Sequence, residues 1–130
     1  MAKPLIFIGS SRSDLSRMPE AVKETFGFAL YTAQQGGRAG EVKQLTGFGG
    51  GVMQISEDDD GNTYRAVYSV HFADVVYVLH CFQKKSKQGR KTPSEEINVI
   101  EARLKRVKEL EDEKAKARKA AARSAPKNEK

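Results

Sequence analysis

Cysteine is all but absent: Cys81 stands alone in 130 residues, accompanied by only two histidines, His71 and His80. No intramolecular disulfide can form and a Cys/His metal framework lacks ligands, so a reducing compartment and a site without metal or other cofactor are expected. Long apolar runs are missing as well. The run from Pro4 to Ile8 is shorter than the roughly seven residues of a signal-peptide core, and nothing approaches the roughly 18 residues of a membrane span. A cytoplasmic protein with no membrane partner is the expectation. Acids are in deficit, 17 against 23 Lys and Arg, which leaves a formal net charge of +6 and a pI near 9.5. That imbalance favours an anionic partner, nucleic acid first among them.

What is present suits one soluble domain, with 38% hydrophobic and 31% charged residues in a length that supports a core without covalent reinforcement. Leu5 to Ile8 reads as a first strand and Asp14 to Met18 as a short helical turn. From Pro19, Val22, Phe26, Ala29, Leu30 and Ala33 recur at helical spacing until Gly36-Gly37, predicting an amphipathic helix. Arg38 to Leu45 is a polar connector, followed by the glycine-rich Thr46 to Gly51. Val52 to Glu57, Thr63 to His71 and Val75 to Phe82 are rich in Val, Ile, Tyr and Phe, predicting a three-stranded antiparallel meander. Thr92-Pro93-Ser94-Glu95 then combines an N-cap, a helix-starting proline and a capping-box glutamate. The helix it opens carries Ile97, Ile100, Leu104, Val107 and Leu110 on one stripe, able to cover a sheet face. The fold class expected is α+β. Residues 1–110 form the domain, and 111–130, dominated by Lys, Ala, Arg and Glu, form a helical extension that frays into a tail.

Several motifs carry candidate chemistry, each beside a plainer reading. The glycine run lacks the Gly-Lys-Ser/Thr ending of a phosphate loop and is followed by a strand, so it reads as a structural bend. Strand alternation places Val76, Val78, His80 and Phe82 on one face and Val75, Tyr77, Leu79 and Cys81 on the other. His80 either borders a cleft or packs and hydrogen-bonds, while His71 falls at a strand end and Cys81 has no partner to activate it. Arg65 is a charge in a strand whose neighbours are mostly apolar or aromatic. It is either an exposed or ion-paired residue, with Glu57 nearby, or an anion clamp. Between Lys84 and Lys91 stand five basic residues and no acid, Lys84, Lys85, Lys87, Arg90 and Lys91, a field that draws phosphate unless it is only a solvated loop. The basic tail beyond residue 110 either solubilises the chain or adds nonspecific affinity for RNA.

Taken in order, Leu45 to Gly51, the Tyr64-Arg65-Ala66-Val67-Tyr68 strand, and Leu79-His80-Cys81-Phe82-Gln83-Lys84-Lys85 leading to Thr92-Pro93 resemble the phage-derived branch of the RelE/HigB toxins, over roughly Leu5 to Leu110. The resemblance implies a compact α+β domain in which an N-terminal strand and helices precede a curved antiparallel sheet and a C-terminal helix. It also implies a toxin of a type II toxin-antitoxin system that cuts messenger RNA on the ribosome, and a partner antitoxin, commonly a helix-turn-helix protein, in a hetero-oligomer. Arg65, Lys84 and Lys85 match the family's catalytic positions, with Lys43, Lys87, Arg90 and Lys91 as candidate RNA or ribosome contacts. Tyr64, Tyr68 and His80 are candidate proton carriers or base-stacking platforms. Where the family often has a Glu and an Arg after the glycine loop, this chain reads Val52-Met53-Gln54-Ile55-Ser56-Glu57. That departure keeps a second class open: a non-enzymatic module on the same fold, either a ParE-like gyrase inhibitor or a remnant that only binds RNA or antitoxin.

Overall fold

The computed structural model describes residues 2–84 and 92–124. Its elements run β1 (Leu5–Phe7), α1 (Ser11–Ser16), α2 (Glu20–Gln34), β2 (Lys43–Gln44), β3 (Val52–Asp59), β4 (Asn62–Ser69), β5 (Val76–Lys84) and α3 (Ser94–Ser124). The strands form one sheet in the order β1-β5-β4-β3-β2, with β1 parallel to β5 and every other pair antiparallel. The expected α+β class and element order are therefore observed. Two details differ: the first helix starts at Ser11 rather than Asp14, and the connector before the glycine loop contributes the two-residue β2.

Both sheet faces are closed by helices, α2 with the short α1 on one and α3 on the other, as amphipathic elements require. Val22, Phe26, Leu30 and Ala33 of α2 pack on Met53, Ile55, Ala66, Tyr68 and Val78. Ile100, Leu104 and Val107 of α3 pack on Val52, Val67, Tyr77, Leu79 and Phe82 on the other face. The glycine loop turns back beneath α3. At Gly51, with φ +73°, an added Cβ would lie 2.9 Å from the His71 Cα, so the loop is the structural bend the sequence suggests. Among the described residues no helix is long and apolar enough to cross a membrane.

One irregularity changes which side chains share a face. Val67 pairs with His80 but Tyr68 pairs with Val78, leaving Leu79 as an extra residue in β5. This β-bulge interrupts the two-residue alternation. Cys81 consequently joins Val76 and Val78 under α2, while Phe82 joins Tyr77 and Leu79 under α3, which corrects the grouping expected from an unbroken strand. The Leu79 carbonyl accepts a 2.9 Å hydrogen bond from Arg103 Nη1 of α3. The bulge is thus tied to the helix that covers it.

Candidate active site

The face of β4 that carries Val67 toward α3 also carries Arg65, which is only 5% exposed. Burying a guanidinium is costly unless its donors are engaged. Arg65 Nη1 donates to Thr92 Oγ1 at 3.1 Å, and that hydroxyl donates to Gln54 Oε1 at 3.1 Å. Thr92, expected to act as an N-cap, instead spends its hydroxyl joining β4 to β3. Desolvation lowers the Arg65 pKa from its ordinary value, yet so strong a base keeps its proton at physiological pH.

Arg65 opens on a cavity of about 380 Å³ whose wall includes Lys43, Gln54, Ser56, Thr63 and Lys84 together with the acids Glu41 and Asp58. The register explains the gathering: Lys43 lies opposite Gln54, Ser56 opposite Arg65, and Thr63 opposite Lys84. Three separated cations, Lys43, Arg65 and Lys84, therefore meet on one sheet face. Desolvation, and then the Arg65 charge, lower the Lys84 pKa from the ordinary lysine value. Asp58, on the same cavity wall, accepts from Thr63 Oγ1 at 2.7 Å through its Oδ1.

The other anticipated residues are dispersed. Tyr64 lies half-buried on the opposite face with the α2 cluster. Tyr68 lies there too, 1% exposed, its phenol pushed up to about 12 by burial, against which Arg38 pulls downward. Neither tyrosine shares the Arg65 face. Lys85, Lys87, Arg90 and Lys91 lie outside the described residues. Cys81 is buried, and desolvation raises its thiol to about 12, with the Asp14 charge adding to the rise. It is inert as a nucleophile.

His80 stacks at 4.7 Å between ring centroids on Phe82, which is Arg65's cross-strand partner. Its Nε2 is 2.6 Å from Glu96 Oε1 and its Nδ1 is 3.4 Å from Arg103 Nη1. A second cavity of about 470 Å³ lies alongside, bordered by Asp14, Arg17, Tyr64, His80 and Glu96. Although larger, it is the weaker anion site, because its Arg17 is paired with Asp14 at 2.8 Å. Among the described residues no cluster of three His, Cys, Asp or Glu is placed to hold a metal ion.

Thr92 reads in the sequence only as an N-cap, and Glu96 and Arg103 escape it altogether as site residues. A signal was available, because they recur with Ile100 and Val107 at helical spacing, placing polar groups on the buried stripe of α3. Arg103 also explains Gly9, where φ is +59° and a Cβ would sit 2.8 Å from the guanidinium Nε. Its Nη2 donates to Ser10 Oγ at 3.1 Å.

A five-stranded sheet clamped between two helices, with a cationic cleft where the last helix begins, defines a small α+β domain of the RelE fold. A mutant of the E. coli toxin RelE in the free state matches it with a TM-score of 0.54, over 82% of this chain and 99% of that chain, at 21% identity. Among curated proteins nothing matches significantly. The chain belongs to the family described as phage derived protein Gp49-like, whose model matches residues 13–105.

Proposed function

We propose that this protein is the toxin of a type II toxin-antitoxin pair and that it cuts messenger RNA in the ribosome. The observation that carries this reading is the buried Arg65, braced by Thr92 and flanked by Lys43 and Lys84, on a RelE-type sheet. RNA cleavage by attack of the adjacent 2′-hydroxyl needs the backbone oriented, added negative charge on the phosphate stabilised, and two protons moved. Arg65 serves the charge: a preorganised donor of this kind contributes about 3 kcal/mol in the transition state. Lys84, its pKa already lowered, neutralises a phosphate oxygen and is the described residue best suited to moving a proton. Lys85 is proposed to share that work, with Lys87, Arg90 and Lys91 extending the contact to RNA or ribosome. Lys43 holds the backbone on the far side of the cleft.

His80 is proposed as a positioning residue, since both its ring nitrogens face side chains of α3. Residues 1–110 are taken as the toxin domain and 111–130 as its basic extension. The partner is taken to be a helix-turn-helix antitoxin acting in the cytoplasm within a hetero-oligomer. Induced expression followed by mapping of RNA ends tests the reading: growth arrest with defined cuts is expected, and Arg65→Ala should abolish both.

A second reading draws on Gln54 and Ser56, which line the cleft without supplying an acid or a base. On that reading the domain binds without cutting. Growth arrest with intact messages and inhibited gyrase supercoiling would favour it.

A further inference from the structure

Beyond Lys114, which pairs with Glu111, the last part of α3 carries cations that form no ion pair among the described residues. From Lys114 to Arg123 the helix bears Lys114, Lys116, Arg118, Lys119 and Arg123, and every other position is alanine. Three of the four carboxylates from Glu109 to Glu113 are engaged, Asp112 being the exception. Glu111 accepts from Tyr77 at 2.5 Å and from Lys114 at 2.8 Å, while Glu109 and Glu113 pair with Arg106 at 3.4 and 3.8 Å. The Tyr77 contact pins α3 to the sheet where it leaves the domain, so the segment projects from a fixed root.

Lys116, Lys119 and Arg123 stand at i, i+3 and i+7, on one stripe of the helix, and all three are exposed. Like charges at these spacings repel. Among the described residues no carboxylate lies within ion-pair distance of them. Alanine's helix propensity keeps the segment helical despite the repulsion, which an external polyanion would relieve. At about 1.5 Å rise per residue the stripe is about 10 Å long, and Lys119 lies about 38 Å along the axis from Ser94. It is out of reach of a phosphate bound at Arg65. It also lies beyond residue 105, where the family match ends.

We propose that Lys116, Lys119 and Arg123 form a second, sequence-independent contact to the phosphate backbone of double-helical RNA, remote from the cleft. A stiff line of cations fits a phosphate array that is itself stiff, whereas a flexible single strand would lose more freedom on binding it. The inference rests on reading RNA as the partner, but not on cleavage. The test uses the full chain and a short RNA duplex, with affinity measured across a salt series. Replacing the three residues together, Lys116→Gln, Lys119→Gln and Arg123→Gln, should weaken binding and flatten the slope of log affinity against log salt by about two to three. The charge-preserving set Lys116→Arg, Lys119→Arg and Arg123→Lys should retain both. An unmoved slope in the glutamine variant would overturn the proposal. So would loss of binding to polyglutamate with duplex binding intact, since the stripe would then serve an acidic polypeptide. The cleavage reading fails separately, through absence of RNA cuts while the slope change persists.

Discussion

The Thr92 hydroxyl lies 3.1 Å from Arg65 Nη1, so the residue that precedes α3 sets the position of a buried cation in the middle of the sheet. A single hydroxyl accepts from one strand's side chain and donates to another's, leaving Arg65 little choice of rotamer. Thr92→Val keeps the shape and removes the tie. Cleavage is expected to fall about tenfold, with a stability loss of about 1 kcal/mol, the worth of an ordinary hydrogen bond. Thr92→Ser should retain most activity. Single-turnover RNA cleavage and urea melts measure the two effects, and wild-type cutting by the valine variant would show that the tie is dispensable.

Arg65→Lys separates charge from geometry. Lysine supplies the cation but not the planar fork that grips two oxygens at once. Cleavage should drop by a factor on the order of 10²–10³, close to the loss for Arg65→Ala, because a preorganised donor is lost in both. Rescue by lysine to near wild-type rates would mean that simple charge neutralisation suffices.

Arg65 also bears on the titration of Lys84. Its positive charge disfavours the protonated amine, so Arg65→Gln should raise the Lys84 pKa toward the ordinary lysine value. Desolvation, the larger cause, would persist and keep the recovery incomplete. NMR titration of the Lys84 side-chain amine reads the shift directly. A downward movement would contradict the proximity of the two cations.

A fourth expectation concerns the root of the long helix. Burial pushes the Glu111 pKa up, but hydrogen bonds from Lys114 and Tyr77, with the Lys114 and Arg118 charges, outweigh it and leave the carboxyl below its ordinary value. A carboxyl lowered on folding stabilises the native state above its unfolded-state pKa, and that contribution disappears as pH falls through the native one. Glu111→Gln should therefore lower the melting temperature at neutral pH and converge with wild type in acid. Parallel melting curves at every pH would show that the contact contributes nothing.

Most elements of this fold, though not the two-residue β2, were legible in the sequence because their signals are local. Helical periodicity marks α2 and α3, Val- and Tyr-rich runs mark β3 to β5, and the glycines mark the bend ending at Gly51. Arg65 was legible too, as a charge in an apolar strand. The partners of Arg65 were not, since Thr92 and Gln54 are far from it along the chain and each has a plausible local role. The bulge at Leu79 left no trace in the alternation of Val75 to Phe82, which reads as an unbroken strand. Only the ladder with β4 reveals that one residue is unpaired, and that residue reverses which neighbours Cys81 and Phe82 face. The glutamate of His80 was overlooked because Glu96 reads as a first-turn acid complementing the helix dipole.

The parallel pairing of β1 with β5 sets Leu5 beside Val76, and α3 must still close over the finished sheet. On a ribosome the chain emerges from its N-terminus, so the edge strand waits for a partner made much later. Arg65 acquires its brace only after Thr92 has followed. Through most of its own synthesis the protein thus has no assembled cleft, which forms only once the last helix is out.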